Sequence, residues 1–167
     1  MTLKEKGWKV NVLWKDQFLG GKCIGIGLFA QQDIPEGSIL RIGKFGHDIL
    51  IYNRETNIPD ITNPGTLEHL ANYSIVCPCQ MVKGGDDMVL WLPGVGINHS
   101  TNPNCMVLCT VNGMCIISIQ DIKDGEALVL DYNSFGSVPT WYEIMLRNNL
   151  GTATCVFPGA NDYVNEC

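Results

Sequence analysis

"GIGLFAQQDIPEG", residues 25–37, decides how this chain folds. Gly25-Ile26-Gly27-Leu28-Phe29-Ala30 fits G-x-G-x-x-G/A, the pattern of a loop that cradles a dinucleotide pyrophosphate. Such a loop must open directly into a helix whose first amides hold the phosphates. Here the motif lies within "KCIGIGLFA", residues 22–30, which reads as a strand. Gln31, Gln32 and Asp33 follow, then Pro35 and Gly37, and no helix of useful length can start there. A dinucleotide oxidoreductase is therefore set aside. The glycines admit a different ligand, or they relieve crowding between strands.

The flanking sequence is of the same kind. "VNVLW" at 10–14, "SILRIG" at 38–43 and "DILIYN" at 48–53 read as short strands. So do "MVLWL", "CMVLCTV", "MCIISI" and "ALVLDY" further along. Turns punctuate them. "IPEG" at 34–37 pairs a proline that presets φ with a glycine that tolerates positive φ, "VNGM" at 111–114 is an Asn-Gly hairpin turn, and Asp124-Gly125 is a third. Two helices are predicted. One spans about 64–73, with Asn63 as N-cap and Pro64 as first residue; the other spans 140–149, where Thr140 and Glu143 form a capping box. Many short strands and few short helices indicate a mainly β domain without alternating βαβ units.

The chain has 167 residues, enough for one domain with a real core. Its 11 basic and 17 acidic residues give a net charge of -6, which argues against a nucleic-acid backbone as the main partner. A basic peptide or a small cofactor suits an acidic surface. No apolar run reaches the length of a membrane span, and "MTLKEKGWKV" lacks the apolar segment of a secretory signal, so an intracellular protein is expected. The eight cysteines are then expected to be reduced. Cys109 and Cys115, among apolar neighbours, read as buried thiols acting as small hydrophobes. Cys77-Pro78-Cys79 could supply two metal ligands, but no second close pair or Cys/His cluster completes a tetrahedral site, so zinc is disfavoured there and no metal site is assigned.

Three elements occur in a fixed order: "GIGLFAQQDIPEG", then "GINHSTNPNC" at 96–105, then "IQDIKDGEALVLDYNSF" at 119–135. Together they resemble the SET-domain family of protein lysine methyltransferases. The resemblance covers about 8–136, with 44–88 as its least readable insert, and implies one SET-like domain over 1–167 with a C-terminal extension from about 137. It implies a β-clip fold of small curved sheets with a C-terminal pseudoknot that brings segments 98–100 and 131–133 to one site. It implies S-adenosylmethionine as cofactor, with the backbone of Gly25, Ile26 and Gly27 beside its methionine end and Asn98 and His99 in contact with it. Tyr132 matches the family's catalytic tyrosine. A basic protein substrate such as a histone tail, membership of a complex and a nuclear or cytoplasmic location, nuclear favoured, are further expectations.

The chain departs from the family in several places. Leu130 stands where Phe or Tyr often influences how many methyls are added. Thr101 replaces a zinc-binding cysteine, and only Cys155 and Cys167 follow Tyr132. Gly96-Ile97 occupy the place of a common arginine. Without the zinc cluster, the helix carrying Trp141 and Tyr142 is the candidate lid, with Trp141 stacking on the adenine. These departures motivate an alternative, a SET-like scaffold or peptide-binding module without turnover. Asp121, Asp124 and Glu126, around a hairpin turn, read as solvated groups, and His47 and His69 as structural.

Overall fold

The sequence Gly20-Gly21 is the first architectural element, because two consecutive positive φ angles (57° and 84°) fold the chain into a tight hairpin. It joins β1 (Val12–Leu19) to β2 (Lys22–Ala30), which pair antiparallel. The computed structural model describes residues 7–52, 74–76, 88–91, 96–135 and 144. β2 has the bounds read from the sequence, whereas β1 runs five residues past Trp14. The register slips between Gln17 and Phe18: Gln17 faces Gly25, Phe18 faces Cys23, and Ile24 is the extra residue of a bulge.

The chain divides into two units, Met1–Lys44 with Gly96–Asp131, and Phe45–Val95 with Tyr132–Cys167. The first holds the hairpin and a five-stranded sheet of order β3-β9-β8-β10-β7. Its strands are β3 (Ile39–Lys44), β7 (Asn98–His99), β8 (Cys105–Thr110), β9 (Gly113–Ser118) and β10 (Val129–Leu130). β3, β9 and β8 are antiparallel neighbours, while β10 runs parallel to both β8 and β7. The second unit contains β4 (Ile49–Tyr52), β5 (Ser74–Val76) and β6 (Met88–Trp91), in the order β4-β6-β5.

Alternation places the core of the first unit. Leu28 and Ala30 on β2, Leu40 on β3, Met114 and Ile116 on β9 and Leu128 before β10 are fully buried, joined by Trp8, Val12, Ile34 and Ile122. Arg41 is buried too, its guanidinium 5.4 Å from the ring centre of Trp8, where the cation meets the electron-rich face. The Pro35–Ser38 turn closes through Ser38 N–H to the Pro35 carbonyl (3.2 Å), with Gly37 at φ 78°. At the β8–β9 hairpin the loop residues are Val111 and Asn112, and Thr110 pairs with Gly113. Gly113 is needed for a different reason from the one read in sequence: a Cβ there would strike the Gly43 carbonyl of β3.

Among the described residues helix is almost absent: a short 3-10 turn at Tyr132–Ser134 and Ile144, which is helical and exposed. The rest of the two expected helices, 64–73 and 140–149, and the C-terminal pseudoknot lie outside the described residues. No described helix is long and apolar enough to cross a membrane.

Candidate functional site

The bulge in β1 and β2 shapes the glycine strand. Gly25, directly opposite Gln17, has φ 119°, a conformation that side-chain-bearing residues rarely adopt. A Cβ on Gly25 would meet nothing within 4 Å among the described residues, so the backbone there is approachable. Gly27 is different. A Cβ on it would collide with the Gln17 side chain, whose Oε1 lies over that position. The two glycines thus do separate work: one opens the strand, and the other makes room for Gln17.

Asn98 reaches this strand from β7. Its backbone is set by parallel pairing with Val129 on β10, and its amide Nδ2 donates to the Ile26 carbonyl (3.2 Å) and to Gln17 Oε1 (2.6 Å). Both amide protons are thereby used. The Ile26 carbonyl can only accept, which fixes the Asn98 amide orientation and leaves Oδ1 as an acceptor without a partner among the described residues. An exposed backbone at Gly25 beside a free carbonyl acceptor fits the ammonium end of an amino acid, the methionine portion of S-adenosylmethionine. The residues present fit that group.

The neighbouring residues secure the arrangement. His99 pairs with Leu130, and its Nδ1 lies 3.8 Å from Asp131 Oδ1. Ser100 N–H donates to the Leu130 carbonyl (2.9 Å), and Ser100 Oγ accepts from Asn102 N–H (3.0 Å), which turns the chain out of β7. Asn104, buried, is the main brace. Its Nδ2 donates to the Ala127 carbonyl (2.8 Å) and its Oδ1 accepts from Val129 N–H (2.9 Å), so one side chain holds both ends of the approach to β10. Segment 98–100 is in this way joined to 129–131.

Of the remaining sequence candidates, Tyr132 opens the 3-10 turn of the second unit. It is half-buried, with its ring centre 5.9 Å from that of Phe135. Trp141, His69, Cys77 and Cys79 lie outside the described residues. His47 is exposed and bonded to Asp48 (2.9 Å). Asp121, Asp124 and Glu126 are exposed, as read from their turn. They also tie it: Glu36 N–H donates to Asp121 (2.9 Å), Lys123 N–H to Glu126 (2.7 Å), and Asp124 N–H to Asp33 (3.0 Å). Hydrogen bonds from Asp124 N–H and Lys123 hold the Asp33 carboxyl below its ordinary range. The cysteine reading needs correction. Cys109 and Cys115 are half-buried, because they sit on the flank of β8 and β9 that is only partly covered. Among the described residues the buried thiol is Cys105, pushed up to about 12 by burial, and its S–H donates to Asn104 Oδ1 (3.2 Å).

Sequence reasoning passed over Gln17 and the bracing role of Asn104. Asn104 stands inside the quoted "NPNC" segment, which marks it as a site-forming residue. Gln17 lies in no motif; its only signal is the glycine hairpin that follows it.

The sequence profile of the SET domain matches residues 25–133, more than half of the chain, and the chain belongs to that family. No curated protein matches it. Among solved structures it is similar to a Plasmodium falciparum protein assigned as a histone methyltransferase, at 20% identity and a TM-score of 0.47 over 72% of this chain and 91% of that one. It is also similar to chains in two structures of a humanized mutant of Chaetomium thermophilum Polycomb Repressive Complex 2, each bound to an inhibitor. One has 23% identity and a TM-score of 0.49 over 75% of this chain; the other has 19% and 0.49 over 84%. This chain spans only 16% and 21% of those two.

Proposed function

We propose that this chain is an S-adenosylmethionine-dependent protein lysine N-methyltransferase, acting on a basic protein such as a histone. The observation that supports it most is the hydrogen bond from Asn98 Nδ2 to the Ile26 carbonyl, 3.2 Å, which unites the Asn-His segment with the glycine strand. When bound, the cofactor supplies a methyl group on a positively charged sulfur. The backbone of Gly25, Ile26 and Gly27 would hold its methionine end, Asn98 Oδ1 would accept from its ammonium, and His99 would complete that contact. Trp141 is the candidate cover for the adenine.

Tyr132 is the proposed catalytic residue. Its phenol oxygen would orient the methyl and stabilise developing charge, so that catalysis is mainly alignment and electrostatics. The substrate lysine must arrive or become neutral. A solvated lysine has a pKa of about 10.4, and an apolar channel together with a nearby cation lowers it. The acidic balance of the chain favours a basic substrate. A nuclear location and membership of a chromatin complex belong to the same proposal.

The test is transfer of a labelled methyl group to histones and to whole-extract protein. Activity abolished in Tyr132→Phe and weakened in Asn98→Ala is the expected result. Cofactor binding without transfer, with Tyr132→Phe indistinguishable from the parent, defeats the proposal. A second reading, a scaffold without turnover, is favoured by two observations: Thr101 is an exposed threonine in place of a metal-binding thiol, and Leu130 is buried in β10. Thermal shift separates the two, because a ligand of the native state raises its stability. A shift with cofactor that is lost in Asn98→Ala counts against the scaffold.

A further inference from the structure

We propose that Gln17 is a cofactor-site residue that receives the carboxylate of an α-amino acid, completing a two-amide clamp with Asn98. The inference rests on the methyltransferase reading and adds a specificity element to it. Its basis is a chain of amide polarities. The Ile26 carbonyl accepts only, so Asn98 must turn its Nδ2 toward β2. The second proton of Nδ2 then goes to Gln17, at 2.6 Å, so Gln17 must present its oxygen to Asn98 and keep its Nε2 for another partner. Gln17 Nε2 has no hydrogen-bond partner among the described residues. Two amides therefore offer opposite faces: Asn98 an acceptor and Gln17 a donor pair.

An ammonium and a carboxylate on one carbon ask for that pair of faces. Ammonium has donors alone, ionised carboxylate has acceptors alone, and each is matched by one amide. Three further features fit. The bulge between Gln17 and Phe18 is the device by which a strand re-aims a side chain. Gly27 gives up its Cβ so that the Gln17 amide can lie over the glycine strand. Lys15, on the same face of β1, has its Nζ over the Phe29 ring, 5.4 Å from the ring centre, and so has a partner of its own.

Calorimetric titration with S-adenosylmethionine and with its decarboxylated analogue tests this without recourse to turnover. The parent protein is expected to bind the complete cofactor more tightly, with a preference of about tenfold or more, the scale of one charge-assisted hydrogen bond. Gln17→Leu should bring the two ligands to near equality. Gln17→Glu should invert the order, because its carboxylate repels that of the cofactor and still accepts from Asn98. Circular dichroism and a thermal melt of each variant establish that it is folded. If both variants weaken the two ligands in parallel and the preference persists, Gln17 is only structural and this proposal fails while the methyltransferase reading stands. If the parent binds neither ligand, both fail.

Discussion

Asn104 is the residue whose removal should be felt most widely. It is 7% exposed, and its amide joins the Ala127 carbonyl and Val129 N–H, groups that would otherwise be left without a partner beside β10. Asn104→Ala removes the bonds to the Ala127 carbonyl and from Val129 N–H, orphaning one strong acceptor and one strong donor, together with the weaker bond from the Cys105 S–H. Each orphan costs ~1–3 kcal/mol when buried, so the variant should lose about 3 kcal/mol. For a chain of this size that corresponds to a fall in Tm of roughly 6–12 °C. Urea unfolding followed by tryptophan fluorescence measures the first quantity and calorimetry the second. Asn104→Asp supplies an internal control. It keeps the acceptor for Val129 N–H but sets a carboxylate oxygen against the Ala127 carbonyl, so its carboxyl pKa should be raised. A raised pKa means stability present at low pH and lost as pH rises through it, so this variant should recover on acidification while Asn104→Ala does not. A loss below about 1 kcal/mol in Asn104→Ala would refute the bracing role.

Three other perturbations follow from the same geometry. Gly96 has φ 63°, and a Cβ on it would fall within the indole of Trp14; Gly96→Ala should destabilise by about 2 kcal/mol or more, and pairing it with Trp14→Leu should restore part of the loss in a double-mutant cycle. Gly27→Ala, at ordinary φ, should change stability by less than about 1 kcal/mol yet displace the Gln17 amide, so a thermal melt should move little while affinity for the proposed cofactor, S-adenosylmethionine, falls in a calorimetric titration. Burial raises the Cys105 thiol from 9.0 to about 12, so its stabilising contribution is whole below pH 9 and drains away as pH rises toward 12; urea midpoints should decline over that interval, and less steeply in Cys105→Ala.

Part of this design can be read from the letters of the chain, and the boundary has a physical cause. β2 was legible with its bounds because nine residues give a full strand pattern ended by turn residues. The sequence also excluded a dinucleotide loop, since Pro35 and Gly37 follow the glycines. β7 was not legible: two residues carry no periodicity, and Asn98 and His99 form a strand only because Val129 and Leu130 lie alongside. β5, with three residues, failed for the same reason. The apolar pattern of β1 stops at Trp14, and Lys15, Asp16 and Gln17 carry no strand signal, so only the Gly20-Gly21 turn marks where the strand ends. Gln17 could not be found locally, because its meaning comes from a cross-strand slip and from a partner 81 residues away. The roles given to Tyr132 and Trp141 rest on family resemblance, which spacing alone could not supply.

β10, the last strand of the five-stranded sheet in chain order, sits inside it, between β8 and β7. On a growing polypeptide Asn98 therefore has no neighbouring strand until Val129 has been made, roughly 30 residues and a few seconds of translation later. Prematurely terminated chains that end before Val129 carry the glycine hairpin but lack the strand that aligns the Asn98 backbone. Such fragments would lack the strand pairing that sets Asn98 beside the glycine hairpin, and the cell's proteases would meet them as unfinished protein.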